Sequence, residues 1–144
     1  MYDEILLPTD GSTGTSETVA HAVEVARDND ARVHVLYVVD QRRYQAADEE
    51  TKAEVVKSLE VEGDRAVEDI EVRLEEAGLT VETAIRDGVP NREIVDYVTE
   101  ADIDLVTMGT HGRTGRDRVA NLGSVTERVL KAVDVPVLVV DIGD

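Results

Sequence analysis

Apolar positions along this chain fall into short, nearly continuous runs that alternate with longer stripes at helical spacing. Residues 2–7, YDEILL, end in an apolar triplet and predict a first strand, closed by a turn at Pro8-Thr9-Asp10-Gly11-Ser12. Residues 15–27 place Val19, Ala22, Val23 and Ala26 on one helical face, with Glu17 in the first turn, where negative charge is favoured. The run VHVLYVV at 33–39 is β-branched and almost unbroken, the signature of a strand buried on both faces of a parallel sheet. A polar loop begins at Asp40-Gln41-Arg42-Arg43, and a long acidic helix comes next over about 48–77. Its stripe runs through Val55, Val56, Leu59, Ala66, Val67, Ile70, Leu74 and Ala77. Gly63 interrupts that helix at a cost of ~1 kcal/mol against alanine and predicts a kink or a break; Gly78 predicts its C-terminal cap.

Residues 79–86, LTVETAIR, alternate and predict a strand exposed on one face. A turn at 87–91 feeds a helix to about Ala101, with Ile94, Val95 and Val98 inward. A fourth strand is predicted over 103–108, a helix over 124–133 and a fifth strand over 135–141. Strand and helix alternate throughout, which predicts a doubly wound parallel α/β sheet with helices on both faces. In such sheets a ligand binds beyond the carboxyl ends of the strands, where the strand order reverses.

Composition narrows the chemistry. With no Phe or Trp, the core must be built from Val, Leu, Ile and Ala, and no cysteine is present for a disulfide, a thiolate metal site or a thiol nucleophile. No apolar run approaches the ~20 residues of a membrane span, and the first residues, MYDEILLPTD, lack the basic start and apolar core of a signal peptide. The expectation is a soluble, cytoplasmic protein of one domain, 1–144. Its net charge of −17 argues against nucleic acid and anionic membrane partners.

One stretch opposes that charge. Residues 109–131 carry Arg113, Arg116, Arg118, Arg128 and Lys131 against Asp117 and Glu127, in a loop punctuated by Gly109, Gly112, Gly115 and Gly123. A strand that opens into glycines and then a helix N-terminus is an anion trap. Glycine lets backbone N–H groups approach closely, and the first helical turn adds free donors and partial positive charge. A basic loop that merely offsets acidic neighbours reads equally well from the charges alone. Asp10 could accept a hydrogen bond from a ribose hydroxyl or serve only its own turn. Val39 could wall an adenine ring or be plain core. Ser124 could give a hydroxyl and an N–H to phosphate, and Ser124 with Glu127 also fits a capping box. His111 could contact phosphate or carry a proton, though no second histidine stands near it in sequence. Walker A, GxGxxG and Gly-x-Ser-x-Gly patterns are absent, and no metal-ligand spacing stands out.

Taken in order, ILLPTDGS at 5–12, HVLYVVD at 34–40, DLVTMGTHGRTG at 104–115, GSVTERVL at 123–130 and VPVLVV at 135–140 resemble the universal stress protein (UspA-like) family over essentially the whole chain. The resemblance implies a five-stranded parallel sheet of order 3-2-1-4-5 and a homodimer paired through the last strand, 135–140, an apolar edge that invites pairing. It implies an ATP-binding stress-response protein, with Mg2+ or Mn2+ accompanying the phosphates. Pro8, Thr9, Asp10, Val39, Met108, Gly109, His111, Gly112, Arg113, Gly123, Ser124 and Val125 would contact the nucleotide, and hydrolysis would be slow at most. The family's ATP-binding branch carries Gly-x2-Gly-x9-Gly-[Ser/Thr]. Here ten residues, not nine, separate Gly112 from Gly123. That departure keeps a nucleotide-free dimeric interaction protein open beside the ATP reading. A true ATPase or phosphotransferase using His111 or Asp10 is the third alternative.

The density of acidic groups also predicts a halophilic source. Molar salt shortens the Debye length to ~3 Å and screens the self-repulsion of such a surface. The melting temperature is expected to rise between dilute buffer and molar KCl; a salt-independent value would overturn this reading.

Overall fold

In a computed structural model, residues 1–12, 15–110 and 122–142 are described. The strands are β1 (Glu4–Thr9), β2 (Arg32–Asp40), β3 (Thr80–Gly88), β4 (Leu105–Gly109) and β5 (Val137–Val140). The helices are α1 (Thr15–Asn29), α2 (Glu49–Glu76), α3 (Pro90–Glu100) and α4 (Ser124–Ala132), with a 3₁₀ turn at Gln41–Arg43. All strands are parallel, in the order β3-β2-β1-β4-β5. Among the described residues no helix is long and apolar enough to cross a membrane.

Strand alternation sorts the core into two layers. Ile5 and Leu7 of β1 and Val33, Val35, Tyr37 and Val39 of β2 pack with Val19, Ala22 and Ala26 of α1 and Leu59, Val67, Ile70 and Leu74 of α2. Leu6, Leu36, Val38, Val106 and Met108 pack on the other face with Ile94, Tyr97 and Val98 of α3 and Val129 of α4. This division arises from the handedness of the connections. Right-handed crossovers that step from β1 to β2 to β3 lay their helices on one face; those that step the opposite way lay theirs on the other.

Three helices end by the same device. At Asp30, Gly78 and Asp102 the chain takes a positive φ of 52°, 85° and 52°. The next N–H then reaches back to the helix: Ala31 to Ala26 O at 2.9 Å, Leu79 to Leu74 O at 3.1 Å, Ile103 to Val98 O at 3.0 Å. Each is a Schellman closure, which satisfies carbonyls the helix would leave bare. The predicted cap at Gly78 is present. The two aspartates do the same job less visibly, because Asp is tolerated, though not favoured, in that conformation. The closure also draws Ile103 out of β4, which begins at Leu105 instead.

The end of β1 shifts as well. β1 runs through Pro8 and Thr9, because its ladder with β2 continues to the pair Thr9–Tyr37. Its ladder with β4 holds only Ile5–Leu105 and Leu6–Val106. Pro8 therefore stands where one side of β1 is already unpaired, a position that tolerates a missing N–H.

The expected kink or break at Gly63 is not found: α2 is a single helix from Glu49 to Glu76. Gly63 is buried, and a Cβ there would lie 2.5–3.0 Å from the ring of Tyr37 on β2. Its missing side chain lets the helix approach the sheet over a buried aromatic. His34, on the opposite face, is likewise accounted for structurally. It is 3% exposed, with Nδ1 at 2.7 Å from Tyr97 Oη and Nε2 at 2.7 Å from Glu4 Oε1.

Helix propensity alone would make Gly63→Ala stabilising by ~1 kcal/mol. The Tyr37 contact reverses the sign: urea unfolding should show a loss of about 1–2 kcal/mol, the cost of overpacking a filled core. A gain in stability would mean that the ring yields.

Candidate functional site

The site begins where β1 and β4 part. Beyond Leu6 and Val106 they no longer pair, while β1 stays bound to β2 and β4 to β5. A cavity of about 540 Å³ opens at their carboxyl ends. This is the point where the strand order reverses, and α1 and α4 leave it on opposite faces.

On the β1 side, Pro8, Thr9, Asp10 and Ser12 line the cavity. Asp10 Oδ1 accepts the Ser12 N–H at 2.9 Å, an Asx turn. Thr9 Oγ1 accepts the N–H of Gly11 at 3.0 Å and lies 3.2 Å from Thr15 Oγ1. Gly11 takes φ of 82°, which few other residues adopt. These bonds hold the turn open and aim it along the cavity wall.

On the β4 side, Met108, Gly109, Gly123, Ser124 and Val125 line the cavity. The Gly123 N–H donates to Thr110 O at 2.8 Å, and Thr126 Oγ1 donates to Gly109 O at 2.9 Å. The start of α4 is thereby tied to the end of β4. The capping box expected from Ser124 and Glu127 does not form. Gly123 is the N-cap, no side chain caps the helix, and the Glu127 carboxylate pairs with Lys131 Nζ at 2.8 Å. That hydrogen bond holds the Glu127 carboxyl below its ordinary range. Because Gly123 carries no side chain, the first N–H groups of α4 have neither an intrahelical acceptor nor a side-chain cap among the described residues. They lie at the cavity, where the helix dipole adds positive potential.

The third wall comes from β2 and the start of α3. Val38, not Val39, lines the cavity together with Leu36, Pro90 and Ile94. Val39 is 1% exposed and packs in the opposite layer, against α1 and α2. The expectation of Val39 as a ring wall is thus displaced by one residue, for the period-two reason that neighbours on a strand face opposite ways. Strand parity was the available signal, since Leu36 and Val38 share a face with Leu6 across the ladder.

Asp40 stands at the mouth, as the end of the second strand, together with Arg42 and Arg43, to which the sequence pattern gave no role. Asp40 Oδ1 accepts from the Arg42 N–H at 3.0 Å and from Nε at 2.9 Å, and its Oδ2 accepts from Nη2 at 2.7 Å. Partial burial pushes the Asp40 carboxyl up. The Arg42 hydrogen bonds and the charges of Arg42 and Arg43 outweigh it, and the carboxyl is held below its usual range. The Asp40 bond in turn raises Arg42. Nearby, Tyr44 Oη donates to Asp87, and the bond pushes the phenol up to about 12.

Of the residues singled out from sequence, Pro8, Thr9, Asp10, Met108, Gly109, Gly123, Ser124 and Val125 converge on one cavity. His111, Gly112 and Arg113 lie outside the described residues. Thr18, Thr126 and Ile142 also line the cavity and were not anticipated. Thr18 belongs to no motif, and nothing in the sequence marks Ile142.

Known proteins share this architecture. The universal stress protein MJ0531 of Methanocaldococcus jannaschii is 40% identical over 141 residues, spanning 97% of this chain and 82% of that protein. The solved structure of MJ0577, from the same organism, is similar with a TM-score of 0.89 at 35% identity, covering 100% of this chain and 99% of that one. UspA from Lactobacillus plantarum is similar at a TM-score of 0.81 and 29% identity, covering 96% and 97%. The model of the universal stress protein family matches residues 1–141, and on that match, with the relatives that accompany it, this chain belongs to the universal stress protein family.

Proposed function

We propose that this universal stress protein binds an adenine nucleotide, ATP with Mg2+ or Mn2+, as a cytoplasmic homodimer, the whole chain 1–144 acting as one domain. The observation that carries the reading is the uncapped N-terminus of α4 at the cavity between β1 and β4. Bare N–H groups and a helix dipole favour an anion there. The phosphates rest on the N–H groups of Gly123, Ser124 and Val125 and on the 109–113 loop, including His111, Gly112 and Arg113. The divalent cation travels on phosphate oxygens. The ribose lies by Asp10 and the adenine ring against Val38 and Ile94, which supply the apolar wall first assigned to Val39. No described group is placed to activate a water in this arrangement, so hydrolysis is slow and binding is the activity. The acidic surface suits a high-salt interior.

Dimerisation rests on β5. It is an edge strand of four residues, VLVV, with Val137, Leu138 and Val139 only partly covered. Such an edge exposes unpaired backbone groups and apolar side chains together, the combination that recruits a second strand.

Calorimetric titration of ATP with magnesium in molar KCl should show saturable binding. Ser124→Glu should weaken it at least tenfold while leaving the melting temperature unchanged or higher. A carboxylate in the first turn favours the helix but repels phosphate. Equal affinity in the variant, or no binding by the parent protein, would overturn the assignment. Sedimentation velocity in the same buffer should give the mass of a dimer, reduced to a monomer by Val139→Lys. A monomeric parent would remove the β5 interface.

A further inference from the structure

Beyond β5 the chain runs on beside the end of β4. The Ile142 N–H donates to Thr110 Oγ1 at 3.3 Å, and the Thr110 N–H donates to Val140 O at 2.9 Å. Ile142 is 7% exposed, although it belongs to no regular element. Its side chain is seated on Gly109 so closely that a Cβ there would collide with Ile142 Cδ1. Thr18 of α1 stands beside them, its Oγ1 at 3.3 Å from that same Cβ position. Thr18 is 2% exposed, and its hydroxyl has no hydrogen-bond partner among the described residues. All three residues line the cavity.

A buried hydroxyl without a partner is costly, whereas valine fills the same shape at no such cost. Packing alone therefore leaves Thr18 unexplained. The absent side chain of Gly109 is also occupied: Ile142, not a ligand, fills that space in this conformation. Together these features describe a small polar subsite with an apolar cover. Inside are the Thr18 hydroxyl and the Gly109 backbone; over it lies Ile142.

We propose that Ile142 is the specificity-determining residue for phosphate-chain length, an inference that rests on the adenine-nucleotide reading above. A single phosphate is held by the N–H groups of α4 and leaves Ile142 in place. Further phosphates extend toward the end of β4, where the apolar side chain opposes their desolvation. To reach the Thr18 hydroxyl, which would donate to a phosphate oxygen, they must displace Ile142 and forgo its burial. The cover thus holds the preference for ATP over AMP below what the polar groups beneath it would give.

The test titrates AMP and ATP, each with magnesium in molar KCl, into the parent protein, Ile142→Ala, Ile142→Val and the double variant Ile142→Ala/Thr18→Val. Ile142→Ala should raise the ATP-to-AMP affinity ratio at least tenfold, and the double variant should lose most of that gain. Ile142→Val removes only the methyl group seated on Gly109. It should raise the ratio about threefold and serves as the deciding variant if the alanine form unfolds. A ratio unchanged in the substituted proteins, or a gain that survives Thr18→Val, would overturn the role of Ile142 while leaving nucleotide binding intact. A parent that binds neither nucleotide would instead overturn the adenine-nucleotide reading, and this inference with it.

Discussion

β1 and β4 share a ladder only at Ile5–Leu105 and Leu6–Val106, and their parting beyond it shapes everything at the carboxyl edge of the sheet. Past that point their connections leave on opposite faces, β1 into α1 and β4 toward α4. No backbone can fill the gap, because each strand is already committed to its other neighbour. The cavity is therefore a topological consequence of the strand order and not a defect of packing. Three helix N-termini, those of α1, α3 and α4, border it together with an Asx turn and a 3₁₀ turn, because β1, β2 and β3 each lead at their carboxyl ends into a turn or a helix start.

Glycine does several different jobs here, and only some concern a ligand. At Gly11 and Gly78 the chain needs a positive φ. At Gly63 and Gly109 it needs the absence of a side chain, and in both cases the space belongs to another residue: the ring of Tyr37 and the side chain of Ile142. Gly123 matters for a third reason. It caps α4 without a side chain, so among the described residues no side-chain cap meets the first N–H groups of the helix beside the cavity. A motif read as a phosphate loop thus contains one glycine used for packing and one that caps a helix without a side chain.

Charge is arranged on two scales. Over the whole chain the balance is −17, a surface built for repulsion and solvation. At the cavity mouth the balance is local, and Asp40 is held by Arg42 through three contacts. That clamp stiffens the turn after β2, the same turn that carries Arg43 to the mouth. The overall charge says nothing of this, since each partner cancels the other.

The alternation of strand and helix, the parallel sheet, and the segments that meet at its carboxyl edge are all legible in the amino-acid order. Those features are local: hydrophobic period, turn residues and motif spacing each act within a few positions. The turn at Asp10, the ends at Met108 and Gly109, and the start of α4 at Gly123 and Ser124 could be read for that reason. Packing in three dimensions settled whatever depends on partners distant along the chain. It assigned Val38 to the cavity and Val39 to the core, since which face of a strand meets which helix is fixed only by the crossover. It kept α2 whole at Gly63, because Tyr37 lies 26 positions away in sequence and beneath it in space. It left Ser124 outside a capping box, because Gly123 is fixed to Thr110 before the helix begins. And it brought Ile142 over Gly109 and Thr18, three residues joined by no periodicity, which the run of the chain past β5 beside the end of β4 places together.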